Sequence, residues 1–145
     1  MNLRSATPLD WPEIRDLRLS VRENRLSDPT RVTQQMYDTY ITRDGHGWVA
    51  EIAGAIAGFS IARRDGEIWA LFIRPGFEGH GLGQALLGAC AAWLAAEGVT
   101  QAVLETDAGT RAEAFYRRFG WRETGRSGTT LTFRLDLARG GTFGD

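Results

Sequence analysis

A chain of 145 residues, 43% hydrophobic and 24% charged, has the length and composition of one globular domain with a substantial core. A formal net charge of -1 and a pI near 6.1 argue against general nucleic-acid or membrane-surface binding. The single cysteine, Cys90, excludes an intrachain disulfide and a cysteine-based zinc site, and its neighbours Ala89, Ala91 and Leu94 mark it as a packed core thiol.

In chain order, the spacing predicts a short strand over 2–6. Thr7-Pro8 then leads into a helix with Trp11, Ile14, Leu17 and Val21 on one face. Residues 23–28 are polar, and Pro29 forces a break before a second helix around Val32, Met36 and Tyr40. Asp44-Gly45-His46-Gly47 reads as a turn. Strands follow over 48–53, 55–63 and 67–73, and Asp65-Gly66 between the last two signals a hairpin, so an antiparallel meander is expected. A helix begins near Leu82, with Leu86, Leu87, Cys90 and Leu94 sharing its buried face, and Gly98 closes it. A buried strand over 99–106 comes next. Thr110-Arg111-Ala112-Glu113 fits a capping box, opening a helix with Ala112, Phe115 and Phe119 inward and Gly120 at its end. Strict alternation of Leu131, Phe133, Leu135 and Leu137 with polar residues makes the last strand 129–137. No apolar run approaches the ~18 residues of a membrane span, and Met-Asn-Leu-Arg-Ser has no leader-like apolar stretch, so a cytoplasmic protein is expected. The expected organisation is one α/β domain over 1–138 with a frayed tail at 139–145, mostly antiparallel first and βαβ-like later.

The stretch 68–87 carries the chemistry. An apolar strand feeds a loop with Gly79, Gly81 and Gly83, which opens a helix. Free N–H groups of the first turn and the positive end of the helix dipole converge there, and glycine lets the backbone approach a ligand without a Cβ in the way. A phosphate-bearing ligand is expected.

These elements and their order resemble the GNAT (Gcn5-related) N-acetyltransferases. The family's Gln/Arg-x-x-Gly-x-Gly/Ala signature stands here as Glu78-Gly79-His80-Gly81-Leu82-Gly83, preceded by Phe72-Ile73-Arg74-Pro75. The later family pattern appears as Ala112-Glu113-Ala114-Phe115-Tyr116-Arg117-Arg118-Phe119-Gly120-Trp121. Two departures stand out. Glu78 places a carboxylate at the signature's first position, so its side chain is expected to turn outward. Gly109 occupies a position where many members carry a cofactor-contacting Asn.

The resemblance implies a single-domain GNAT fold, in which a mostly antiparallel central sheet is flanked by helices and a splayed strand pair holds acyl-CoA. It implies direct acetyl transfer from acetyl-CoA to a primary amine of a small molecule, peptide or protein, with no metal. Backbone groups of Leu71, Phe72 and Ile73 would grip the pantetheine arm and polarise the thioester carbonyl. Gly79, His80, Gly81, Leu82, Gly83 and Gln84 would hold the pyrophosphate, with Arg111 and His80 as candidates for the phosphates. Tyr116 would protonate the leaving thiolate as general acid and border the bound cofactor.

The general base stays open among Glu23, Glu51, Glu67, Glu105 and a water-relayed group, because nothing between Ile68 and Ile73 ionises. For the acceptor groove the family pattern points to 23–28, Trp69 and a turn at 125–129, and the acceptor stays open. Trp48 and Trp69 could line a pocket, and Glu23, Asp28 and Glu51 could attract a cationic amine. Nucleic-acid and membrane partners are not expected, and dimers occur among such enzymes. Two rivals remain: a non-catalytic acyl-CoA sensor on the same fold, and a Rossmann-like nucleotide binder. The second lacks G-x-x-x-x-G-K-[S/T], and its loop follows a meander.

Overall fold

In the computed structural model, which describes residues 1–21 and 33–137, the strands fall into two antiparallel sheets. The first contains β1 (Asn2–Ser5), β2 (Gly45–Ile52), β3 (Ala55–Arg63) and β4 (Ile68–Ile73) in that order. The second contains β5 (Gln101–Asp107), β6 (Arg122–Ser127) and β7 (Thr130–Asp136), with β7 in the middle.

Helices cover both faces of the first sheet. A 3-10 turn, Pro8–Asp10, runs into α1 (Trp11–Ser20), and α2 (Gln34–Thr42) follows the undescribed segment. Ile14, Leu17, Tyr37 and Ile41 from these helices pack with Val49, Ile56, Phe59 and Ile61. On the other face lies α3 (Leu82–Ala96), whose Leu82 and Leu86 meet Ala50 and Ala57, while Leu87, Cys90 and Leu94 reach Leu104, Leu131 and Phe133 in the second sheet. Burial on both faces explains why β3 is apolar nearly throughout, with no alternation.

The meander, the α3 face, Cys90 (0% exposed) and the alternating last strand are as the sequence implies. Several local expectations need correction. Residues 45–47 are the start of β2, paired with Arg63, Ala62 and Ile61, and not a turn. The glycines there serve close approach: a Cβ at Gly45 would fall 2.1 Å from Ala62 O and 2.6 Å from Tyr40 O. Gly125 lies inside β6, so the late turn narrows to Gly128 and Thr129. The helix α4 (Arg111–Arg118) buries Tyr116 more fully than Ala112, Phe115 or Phe119. Glu23, Asp28, Pro29, Val32 and the expected tail 139–145 lie outside the described residues.

The two sheets meet at one point. Glu67 and Val103 form a parallel bridge, reinforced by the Val103 N–H donating to Gly66 O at 3.0 Å. Beyond it no ladder joins β4 to β5 among the described residues. The βαβ character is therefore confined to the β4–α3–β5 crossover, and the pair splays open where an intact sheet would close.

Candidate active site

The split between β4 and β5 has a cavity on each side. The cavity on the α3 and α4 side is about 430 Å³ and takes in β4 (Leu71, Phe72, Ile73), the glycine loop (Gly79, Gly81), the first turn of α3 (Leu82, Gly83, Gln84) and α4 (Arg111, Tyr116). The cavity on the α1 and α2 side is about 530 Å³, with Trp11, Met36, Tyr37, Glu67 and Trp69 in its wall. Ile68, Trp69, Ala70, Phe72, Glu105, Thr106 and Asp107 border both, so the splayed strands form a throat between them. The Arg74 N–H donates to Ala57 O at 2.7 Å. Alternation along the strand then turns the N–H groups of Leu71 and Ile73 to the split side, away from β3.

The loop is shaped for an anion. Gly81 is the N-cap of α3 at φ +79° with no side-chain cap, and the first turn carries no acidic residue. The Ala85 N–H donates to Gly81 O, which leaves the N–H groups of Leu82, Gly83 and Gln84 without helical partners. A Cβ at Gly83 would meet the Phe115 ring at 3.2 Å, so glycine there sets how closely α3 approaches α4. A Cβ at Gly81 would meet nothing within 4 Å. Crowding of the protein is thus not what a side chain would do there; a β-branched residue at this φ is strained by about 1–2 kcal/mol or more. Gly81→Val is expected to reshape the loop and weaken acetyl-CoA binding about tenfold in a calorimetric titration, and wild-type affinity would contradict the cradle.

Glu78 does not simply turn away. Its Oε1 accepts from the Gly76 N–H at 2.8 Å, and its Oε2 lies 3.4 Å from Arg111 Nη1, at the edge of the cavity. Backbone donors, its own and that of Gly76, hold the carboxyl below its ordinary range, with Arg111 assisting. The carboxylate therefore caps its own turn and partly neutralises the guanidinium facing the loop. Gln can keep the cap and remove the charge. Glu78→Gln is expected to tighten CoA binding about three- to tenfold, more at low salt than at high salt; equal affinity across salt concentrations would remove Glu78 from the binding balance. At the other departure, the Gly109 N–H donates to Glu113 Oε1 at 2.7 Å while Thr110 Oγ accepts from the Glu113 N–H, so the α4 cap is built without an Asn.

Tyr116 is 6% exposed and lies at the wall of the α4-side cavity. Phe115, Trp121 and Phe133 surround its ring at centroid distances of 5.4, 5.9 and 6.2 Å. Its hydroxyl makes no hydrogen bond to another described residue. Burial pushes the phenol pKa up, with nearby Cys90 adding to it, so the group is a neutral donor across the physiological range.

Three carboxylates flank the throat: Glu67, Glu105 and Asp107. Glu67 sits at the bridge where the strands part, with Arg63 Nη1 3.1 Å away. Burial raises its pKa; Arg63 opposes the shift, and the charges of Asp65 and Glu105 add to it. Burial likewise raises that of Asp107. Glu51, in contrast, is committed to Arg4 and Asn2 at the opposite sheet edge, and Glu23 lies outside the described residues. His80 lies off the cavity, its Nδ1 3.1 Å from Phe77 O. Trp69 reaches both cavities, whereas Trp48 packs with His46 and Trp93 on the α3 face of the sheet and lines neither. Sequence reasoning missed Asp107, Trp11 and Tyr37 as cavity residues. The i, i+2 relation of Glu105 to Asp107 was the available signal for the first.

Among the described residues no group of three or more His, Cys, Asp or Glu is placed to hold a metal ion, and no helix is long and apolar enough to cross a membrane. The model of the acetyltransferase (GNAT) family matches residues 11–121. No curated protein matches the sequence. Solved structures similar in fold include a GNAT-family acetyltransferase from Staphylococcus aureus Mu50 (17% identity, 94% of this chain and 99% of that one, TM-score 0.81). A second is the PaiA N-acetyltransferase from Thermoplasma acidophilum in complex with coenzyme A (14%, 94% and 98%, 0.76). A third is the ribosomal-protein-S18-alanine N-acetyltransferase from Escherichia coli (18%, 98% and 97%, 0.75).

Proposed function

The chain belongs to the acetyltransferase (GNAT) family and is an acyltransferase of that fold, and from this premise we propose that it moves an acetyl group from acetyl-CoA directly to a primary amine. The observation that carries the reading is the pair of cavities joined through the β4–β5 throat, with Tyr116 on one side and Glu67 on the other. Two substrates can meet there without leaving the protein.

The residues fit the donor. The unfilled N–H groups of Leu82, Gly83 and Gln84, with Arg111 opposite, suit a pyrophosphate. The N–H groups of Leu71 and Ile73 suit the amide and carbonyl oxygens of an extended arm, as added strands do. Acetyl-CoA supplies the activated acyl group as a thioester.

On the acceptor side, Glu67 takes a proton from the amine, whose nitrogen forms the new bond to the acyl carbon. The carbon–sulfur bond breaks, and Tyr116 gives its proton to the departing thiolate sulfur. Glu67 is favoured over Glu51 because it borders the throat. Burial raises its pKa, which makes its carboxylate a stronger base than an exposed one. Solvent returns the proton to Tyr116 once the thiol has left.

The test is an amine panel with acetyl-CoA, read as released CoA thiol, beside a thermal shift with acetyl-CoA, NAD and ATP. Thiol release above the hydrolytic background and stabilisation by acetyl-CoA alone are expected. Stabilisation by NAD or ATP without acetyl-CoA would overturn the reading.

A further inference from the structure

Resting on that reading, we propose that the acceptor is a linear aliphatic diamine or polyamine, a primary amine with a second cationic centre about three or four methylenes away. The cavity on the α1 and α2 side has an aromatic wall of Trp11 and Trp69, with the buried Tyr37 behind Trp11 at 5.2 Å and Tyr40 packed edge-on to Trp69 at 4.6 Å. Such a wall takes methylene groups on its faces and attracts cations above them.

The throat then sorts acceptors by charge. Glu67 already faces Arg63, but Glu105 and Asp107 have no ion pair among the described residues. Arg18 lines the same cavity, so with Glu67 paired to Arg63, the two carboxylates of Glu105 and Asp107 stand against one guanidinium among the described residues. The reacting nitrogen must become neutral before it attacks. With a monoamine, that step leaves both unpaired carboxylates facing an uncharged ligand. A second ammonium that does not react keeps one of them compensated throughout.

The spacing follows from the strand. Glu105 and Asp107 are two residues apart on β5, so their Cα atoms are about 6.6 Å apart along it. An amine poised near Glu67 and Glu105 thus has Asp107 within reach of a nitrogen a short methylene chain away. A carboxylate on the acceptor would instead be repelled from this end of the cavity, which disfavours α-amino acids and ω-amino acids alike.

The experiment compares 1,4-diaminobutane, 1-aminobutane and 4-aminobutanoate, together with a neutral tripeptide, as acceptors for the wild type and Asp107→Asn. The expected kcat/KM for the diamine exceeds that for 1-aminobutane at least tenfold, and the difference lies in KM. In Asp107→Asn the diamine-to-monoamine ratio falls to about one to three, with folding checked by melting temperature. A monoamine, zwitterion or peptide that equals the diamine in the wild type overturns the proposal and leaves acetyl transfer standing. Absence of thiol release with every amine overturns both.

Discussion

Tyr116→Phe is expected to lower kcat about 100-fold while acetyl-CoA binding stays within about twofold of wild type. The substitution removes one oxygen and leaves the ring where Phe115, Trp121 and Phe133 already hold it. That oxygen has no hydrogen bond to another described residue, so no buried partner is left unsatisfied and the melting temperature should hold. What is lost is the proton for the sulfur. A free thiol has a pKa near 8.5, so a leaving thiolate reverts easily unless it is protonated. The wild type should show no alkaline loss of activity from Tyr116 below about pH 10. Steady-state kinetics with a parallel CoA titration reads both quantities, and an unchanged kcat would remove Tyr116 as the acid.

The glycine-loop half of the candidate site was legible because local pattern determines its backbone. The signature at 78–83 specifies a turn and a helix start within six residues, and the capping box at 110–113 places Tyr116 on the facing helix. The throat was not legible, because it depends on an interruption in pairing. Nothing local says that β4 and β5 share one bridge, at Glu67 and Val103, residues 36 positions apart. Glu67, at a strand's start beside a turn, and Glu105 therefore stayed two among several candidate bases. Glu51 looked equally eligible until its partner Arg4, 47 positions away, took it out of reach.

Composition misled at two other places for physical reasons. Asp44-Gly45-His46-Gly47 has turn chemistry, yet tertiary crowding by Ala62 O and Tyr40 O accounts for glycine there, and the backbone runs straight on as strand. The segment Arg122–Ser127 has no apolar alternation because it is the outer strand of its sheet. Its stability comes from pairing with β7 and from ion pairs such as Arg117–Glu123 and Arg126–Glu123.

Glu67→Gln is expected to lower kcat/KM about 100-fold near neutrality and to abolish the acid limb of the pH profile. The direction follows from the group's environment. A base works ionised, so wild-type activity rises with pH through the pKa of Glu67, which burial places above the ordinary glutamate value near 4.3. Neighbouring substitutions should move that limb in opposite directions. Glu105→Gln removes a like charge and shifts it to lower pH, whereas Arg63→Gln removes the opposing cation and shifts it to higher pH. Stability should move the other way from activity. The unfolded carboxyl ionises at the ordinary value and the folded one above it, so the folded state binds more protons in that window and loses stability as pH rises through it. Gln removes this penalty and gives up only a partly exposed pair with Arg63. A variant that is inactive yet melts no lower than wild type identifies Glu67 as a chemical group of the throat, not a support for it. An acid limb that persists in Glu67→Gln would instead assign the titration to the acceptor amine and remove Glu67 as the base.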